Sequence, residues 1–111
     1  MSNPSKQKGT RWENQCAKFF RDHGFSECFR LAPAGEFDCG DLGGIKDWAF
    51  ECRDRQKHSL SKNVKDANER AKNKGARFGC ALMKKREHGT EHGYVVLDMK
   101  TFVEVLKALD E

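Results

Sequence analysis

The chain has 111 residues, 37% hydrophobic and 34% charged, with a formal net charge of +4. That length supports one hydrophobic core and therefore one domain. No run of about 18 consecutive apolar residues occurs, so no membrane span is expected. The opening Met-Ser-Asn-Pro-Ser-Lys-Gln-Lys lacks the apolar centre of a secretory signal. Residues 1–8 read as a mobile arm ahead of a single domain over 9–111. The five cysteines are odd in number and scattered, which argues against a zinc site or a disulfide scaffold. Reduced thiols in a cytoplasmic protein are the expectation. Basic residues gather at 5–11, 53–65 and 84–86, a distribution that favours a polyanionic partner.

In chain order, a first helix is predicted from Thr10, where Thr10-x-x-Glu13 has the spacing of a capping box. Trp12, Cys16, Phe19 and Phe20 then recur at helical intervals, and Gly24 ends the helix. Phe25–Leu31 reads as a strand, followed by a loop around Ala32-Pro33-Ala34-Gly35. Residues 36–45 and 48–53 read as two more strands joined by a tight turn at Lys46-Asp47. A second helix is predicted over Leu60–Lys74, with Leu60, Val64, Ala67 and Ala71 as its apolar stripe. Phe78–Met83 is apolar enough for a central strand. A charged loop over 84–93 leads to a strand at Tyr94–Met99, and Thr101-x-x-Glu104 opens a last helix. The predicted fold is α/β, a mixed sheet of four to five strands flanked by helices in the order α-β-β-β-α-β-β-α.

Three acidic positions stand out. Along Trp48-Ala49-Phe50-Glu51-Cys52-Arg53 the side chains alternate, so Glu51 and Arg53 share a face with Ala49. They read either as an ion pair on an exposed sheet face or as a buried acid that must be paired or hold a metal. A two-residue turn at 46–47 would put Asp41 opposite Cys52, on the wrong face. A one-residue shift at Gly43-Gly44 would bring it beside Glu51. Asp41 is otherwise a turn residue preceding glycines. Two carboxylates converging from neighbouring strands make a hard-oxygen site suited to magnesium or manganese. Glu13 is explained by capping, or by a helix that directs it towards the face carrying Glu51.

These residues, in this order, resemble the PD-(D/E)XK nuclease superfamily: an acid on the first helix, an Asp at a strand end, and Glu-x-Lys on the next strand. Gly9-Thr10-x-x-Glu13, Gly40-Asp41-Leu42-Gly43-Gly44-Ile45 and Trp48-x-x-Glu51-Cys52-Arg53 are similar to small phage-encoded Holliday-junction resolvases. So are Asp66-Ala67-Asn68-Glu69-Arg70-Ala71, Gly75-Ala76-x-x-Gly79, Lys84-Lys85-Arg86 and Tyr94-Val95-Val96. The resemblance implies a restriction-endonuclease-like fold and a magnesium- or manganese-dependent endonuclease acting on branched DNA. It implies that Asp41, Glu51 and the Cys52 carbonyl hold the ion, with Glu13 binding it directly or through water. The family's lysine is Arg53 here, which keeps the charge and can clamp a phosphate but cannot act as a base. Lys57, Lys62 or Lys65 could supply an ammonium from outside the strand, and Gln56 could orient water.

The residues expected to bind the nucleic acid are Lys8, Arg11, Gln56, Lys62, Lys84, Lys85 and Arg86. A four-way junction needs two symmetric cuts, so a homodimer is expected, with the last helix (Phe102, Val103, Val105, Leu106, Leu109) and its neighbouring strand as the interface. A phage origin would place the protein in the host cytoplasm. His88 and His92, flanked by Gly89 and Gly93, read as loop residues and not as a metal pair. No phosphate-cradling glycine loop followed by Lys and Ser/Thr is present, so no nucleotide cofactor is expected. The alternatives are a nicking or restriction-type nuclease of the same fold, or a DNA-binding module without catalysis.

Overall fold

The computed structural model describes residues 4–111, and residues 1–3 of the expected arm lie outside the described residues. The first helix, α1, spans Pro4–Asp22, starting six residues before the expected Thr10. Proline suits a first helical position because its missing N–H would have no partner there. Residues 4–8 of the expected mobile arm are therefore helical, and Thr10 and Glu13 sit mid-helix, where they form no cap. After α1 come β1 (Phe29–Arg30), β2 (Leu42–Gly43), β3 (Trp48–Arg53), α2 (Leu60–Lys74), β4 (Phe78–Met83), β5 (Tyr94–Val96) and α3 (Met99–Leu109). The element order is the one expected, and the domain is α/β with a five-stranded mixed sheet flanked by helices. Strands β1 and β2 are much shorter than read from sequence, and a 3-10 turn at Gly35–Phe37 takes up part of the difference.

The sheet runs β1-β2-β3-β4-β5, with β3 and β4 parallel and every other pair antiparallel. A parallel pair needs a crossover, and α2 supplies it. Helix α1 covers one face. Trp12, Cys16 and Ala17 pack there with Leu42, Phe50, Cys52, Cys80 and Leu82, and the Trp12 indole donates to the Leu82 carbonyl at 2.9 Å. All five cysteines are free thiols. Helix α2 covers the opposite face, which carries Glu51 and Arg53. Its inward residues are Asn63, Ala67 and Ala71, whereas Leu60, expected in the stripe, is 55% exposed. The small residues allow a very close approach: a Cβ on Gly79 of β4 would lie 2.5 Å from the Ala67 carbonyl oxygen.

Helix α3 begins at Met99, and Asp98 caps it by accepting the Thr101 N–H at 2.7 Å, so Thr101 is not the cap. The Asn68 amide donates to Asp98 at 3.0 Å, tying this helix start to α2. No residue of α3 is buried, and Phe102, Val103, Leu106 and Leu109 are all exposed. No helix among the described residues is long and apolar enough to cross a membrane.

The register between β2 and β3 decides where Asp41 points. The Trp48 N–H bonds the Ile45 carbonyl, closing a turn around Lys46 and Asp47, while Leu42 pairs with Phe50. Three steps on one strand thus match two on the other, which is the one-residue shift expected at Gly43-Gly44. Gly44 has φ +91°, and a Cβ there would lie 1.9 Å from the Glu27 carbonyl oxygen. Gly44→Ala is expected to destabilise the fold by about 2–4 kcal/mol in urea unfolding, through strain and collision together. A loss under about 0.5 kcal/mol would show that the shift does not depend on this residue.

Candidate active site

Glu51 lies mid-strand, its side chain 3% exposed, on the face covered by α2. Carrying a charge there requires counter-charges, and two guanidinium groups supply them. Arg53 donates to Glu51 Oε2 at 2.7 Å. Arg70 of α2 brings Nε to 3.4 Å from Oε1, and also to 3.6 Å from Asp38. Glu51 Oε1 and Arg70 Nε are buried without a hydrogen-bond partner among the described residues, so this contact is a charge pair and no more. Burial raises the Glu51 pKa, and Arg53 offsets part of that rise.

The shifted register puts Asp41 across from Glu51. The Asp41 carboxylate accepts the Cys52 N–H at 2.7 Å and lies 3.8 Å from Arg53 Nη1. Desolvation, then the charge of Glu51, pushes the Asp41 carboxyl up to about 7, and Glu13 adds to the rise. A desolvated carboxylate whose proton affinity is raised further by neighbouring acids is an environment in which a cation binds well. Arg53 meets both carboxylates from the side. Besides Glu51 it donates to the Cys52 carbonyl at 3.0 Å and to Asp66 of α2 at 3.2 Å. Asp66 also accepts from Lys62 at 2.8 Å. Desolvation opposes the charge on Asp66, but the bonds from Lys62 and Arg53 prevail and hold its pKa below the usual range.

Glu13 comes from the other side of the sheet, because α1 packs on the Phe50 and Cys52 face and not on the Glu51 face. It reaches the end of the sheet, where its carboxylate binds Arg30 Nε at 2.6 Å. Arg30 Nη2 also donates to Thr10 Oγ1 at 3.5 Å. A cleft opens at this end, lined by Lys6, Gly9, Thr10, Glu13, Arg30, Pro33, Asp41, Cys52, Arg53, Asp54 and Arg55. Asp41 is the middle acid, between Glu13 on one side and Glu51 on the other.

Among the described residues no three His, Cys, Asp or Glu side chains converge as a ligand group. Asp41 and Glu51 both face Arg53, at 3.8 Å and 2.7 Å, with the Cys52 carbonyl 3.0 Å from the same guanidinium. Their oxygens fit a hard divalent ion by chemistry, and the unpartnered Glu51 Oε1 leaves an acceptor unused. Glu13, engaged with Arg30, stands apart as an outer acid.

Of the expected nucleic-acid contacts, Lys62 joins the site through Asp66, and Arg86 through Asp54, whose Oδ1 lies 3.5 Å from Arg86 Nε. Lys8, Arg11, Gln56, Lys84 and Lys85 are not among the cleft-lining residues. Lys84 lies over the Trp12 ring, 5.8 Å from its centroid. Lys57 is exposed, and Lys65 pairs with Glu69 at 3.9 Å. The residues that sequence reasoning missed are Lys6, Arg30, Arg55, Asp66 and Arg70. Asp66 and Arg70 stand four apart, so they share a helix face, which was the available signal. No comparable signal marks Arg30.

The chain matches no protein-family model, no curated protein and no solved structure. The geometry itself is open to a pH test. Asp41 takes up its proton below 3.8 when unfolded and below about 7 when folded, so between those values the folded state binds more protons. Stability from this group is fully present below pH 3.8 and is lost as pH rises towards 7. In metal-free buffer, Asp41→Asn should therefore gain stability relative to wild type steadily from pH 4 to pH 7. A pH-independent difference would mean that Asp41 is not desolvated beside Glu51.

Proposed function

We propose that this chain is a divalent-metal-dependent DNA endonuclease of the PD-(D/E)XK kind, acting on branched duplexes as a homodimer. The observation that carries the reading is that Arg53 meets both Asp41 and the buried Glu51, at a cleft lined by Asp41, Cys52 and Arg53 together with Lys6, Arg30 and Arg55. An acidic centre inside a basic rim suits a phosphodiester. The rim attracts the backbone, and the centre takes a cation that offsets the repulsion between carboxylates and phosphate.

Asp41, Glu51 and the Cys52 carbonyl would hold magnesium or manganese, with Glu13 as an outer acid. Such an ion supplies an acidified water and neutralises charge on the leaving oxygen. Arg53 keeps its charge at every working pH and presents a planar fork, so it binds and orients a phosphate but takes no proton from water. Lys6, Arg30 and Arg55 would bind flanking phosphates. For Arg30 this means exchanging or sharing its bond to Glu13, which draws that acid into the same event.

A second copy would cover the exposed apolar side of α3 and β5, where Tyr94, Val95, Phe102, Val103, Leu106 and Leu109 are all more than 40% exposed. Exposed apolar side chains gathered on two successive elements suit an interaction site. A two-fold dimer across it would offer two clefts to the two strands that a junction resolvase cuts. One observation favours a binding module instead: both Glu51 oxygens face guanidinium groups, as a purely structural ion-pair network would arrange them.

Cleavage of a labelled immobile four-way junction beside linear duplex separates these readings, with magnesium, manganese or EDTA. Paired cuts near the branch that need metal are expected, with activity falling about 100-fold or more in Glu51→Ala. Tight junction binding without cutting under either metal would overturn the nuclease reading in favour of the binding module.

A further inference from the structure

We propose that Arg53 is the site's own exchangeable cation, seated on Asp41, Glu51 and the Cys52 carbonyl until a divalent ion displaces it towards Asp66. The inference rests on the reading that this seat takes a divalent ion. One guanidinium touches every oxygen donor group assigned to that ion: Glu51 Oε2 at 2.7 Å, the Cys52 carbonyl at 3.0 Å and Asp41 Oδ2 at 3.8 Å. An ion such as magnesium needs its oxygens at about 2.0–2.1 Å, and its charge repels a guanidinium on the same atoms. Both cannot hold those same oxygen atoms, Glu51 Oε2 and Asp41 Oδ2, at once.

Arginine cannot yield by losing its proton, so it must move, and a largely buried charge moves only to another counter-charge. Asp66 is already in place. It lies on α2 and not on the sheet, its side chain is 13% exposed, and Lys62 holds it 3.2 Å from Arg53 Nη2. The arginine can therefore release the carboxylate pair without ever being unpaired. A phosphate entering the cleft offers the displaced guanidinium a second acceptor, so metal and nucleic acid would strengthen each other's binding.

Arg70 provides the internal control. It carries the same charge to within 3.4 Å of Glu51, yet among the described residues it contacts neither Asp41 nor the Cys52 carbonyl. Calorimetric titration of manganese, without DNA, into wild type, Arg53→Gln and Arg70→Gln distinguishes a seat from net charge. Arg53→Gln is expected to bind about tenfold or more tightly than wild type, and Arg70→Gln to gain clearly less. Equal gains, or no binding to any of the three, overturn the proposal. Should Arg53→Gln fail to fold, the side-chain Nε–H resonance of Arg53 in the wild type gives the answer under magnesium titration. It should shift along the binding isotherm; a resonance that stays put while magnesium binds overturns the proposal. Tight manganese binding by Arg53→Gln with no DNA cleavage by the wild type would sink the nuclease reading and leave the seat standing.

Discussion

A carboxylate buried in mid-strand is the constraint around which this small domain is organised. Glu51 lies between two guanidinium groups, one from its own strand and one from α2. Removing both would leave a buried charge unpaired, which costs several kcal/mol in typical proteins, on the order of 3–5. The helix that supplies Arg70 and Asp66 must therefore approach β3 closely. It does so because Ala67 and Ala71 meet Gly79, where any side chain would collide with the helix backbone. Small-residue packing, usually a matter of stability alone, here sets the distances inside the charged network.

The second constraint is register. A one-residue difference between the arms of the β2–β3 hairpin turns Asp41 from the core face to the Glu51 face. That single step buries Asp41 beside Glu51, and the desolvation, with the neighbouring charge added, pushes its carboxyl up to about 7. In the free protein Arg53 supplies the counter-charge. Under the proposed function, the same group that stabilises the fold stands where the ion would stand, and stability and ion binding would draw on the same oxygens.

Much of this was legible in the sequence, and the parts that were not have physical reasons. Period-two alternation placed Glu51 and Arg53 together, and Gly43-Gly44 signalled the shift that Asp41 needs. The helix start was misread because Thr10-x-x-Glu13 has capping spacing; the helix continues back to Pro4, which brings Lys6 to the cleft and frees Glu13 for Arg30. The inward face of α2 is the one expected at Ala67 and Ala71, but hydrophobicity also favoured Leu60, which is exposed, while the polar Asn63 is buried. Asp66 and Arg70 entered only within a segment similar to the nuclease family, with no role of their own. Arg30 came from a two-residue strand, too short for any periodicity to mark, and its role depends on a contact 17 residues away in sequence. The sheet's mixed order was readable from element types.

Anomalous diffraction from crystals grown with manganese addresses the central assignment most directly. An anomalous peak against the Asp41 and Glu51 carboxylates is the expected result. Density that leaves Arg53 bonded to Glu51, with manganese bound elsewhere or not at all at saturating concentration, would contradict it.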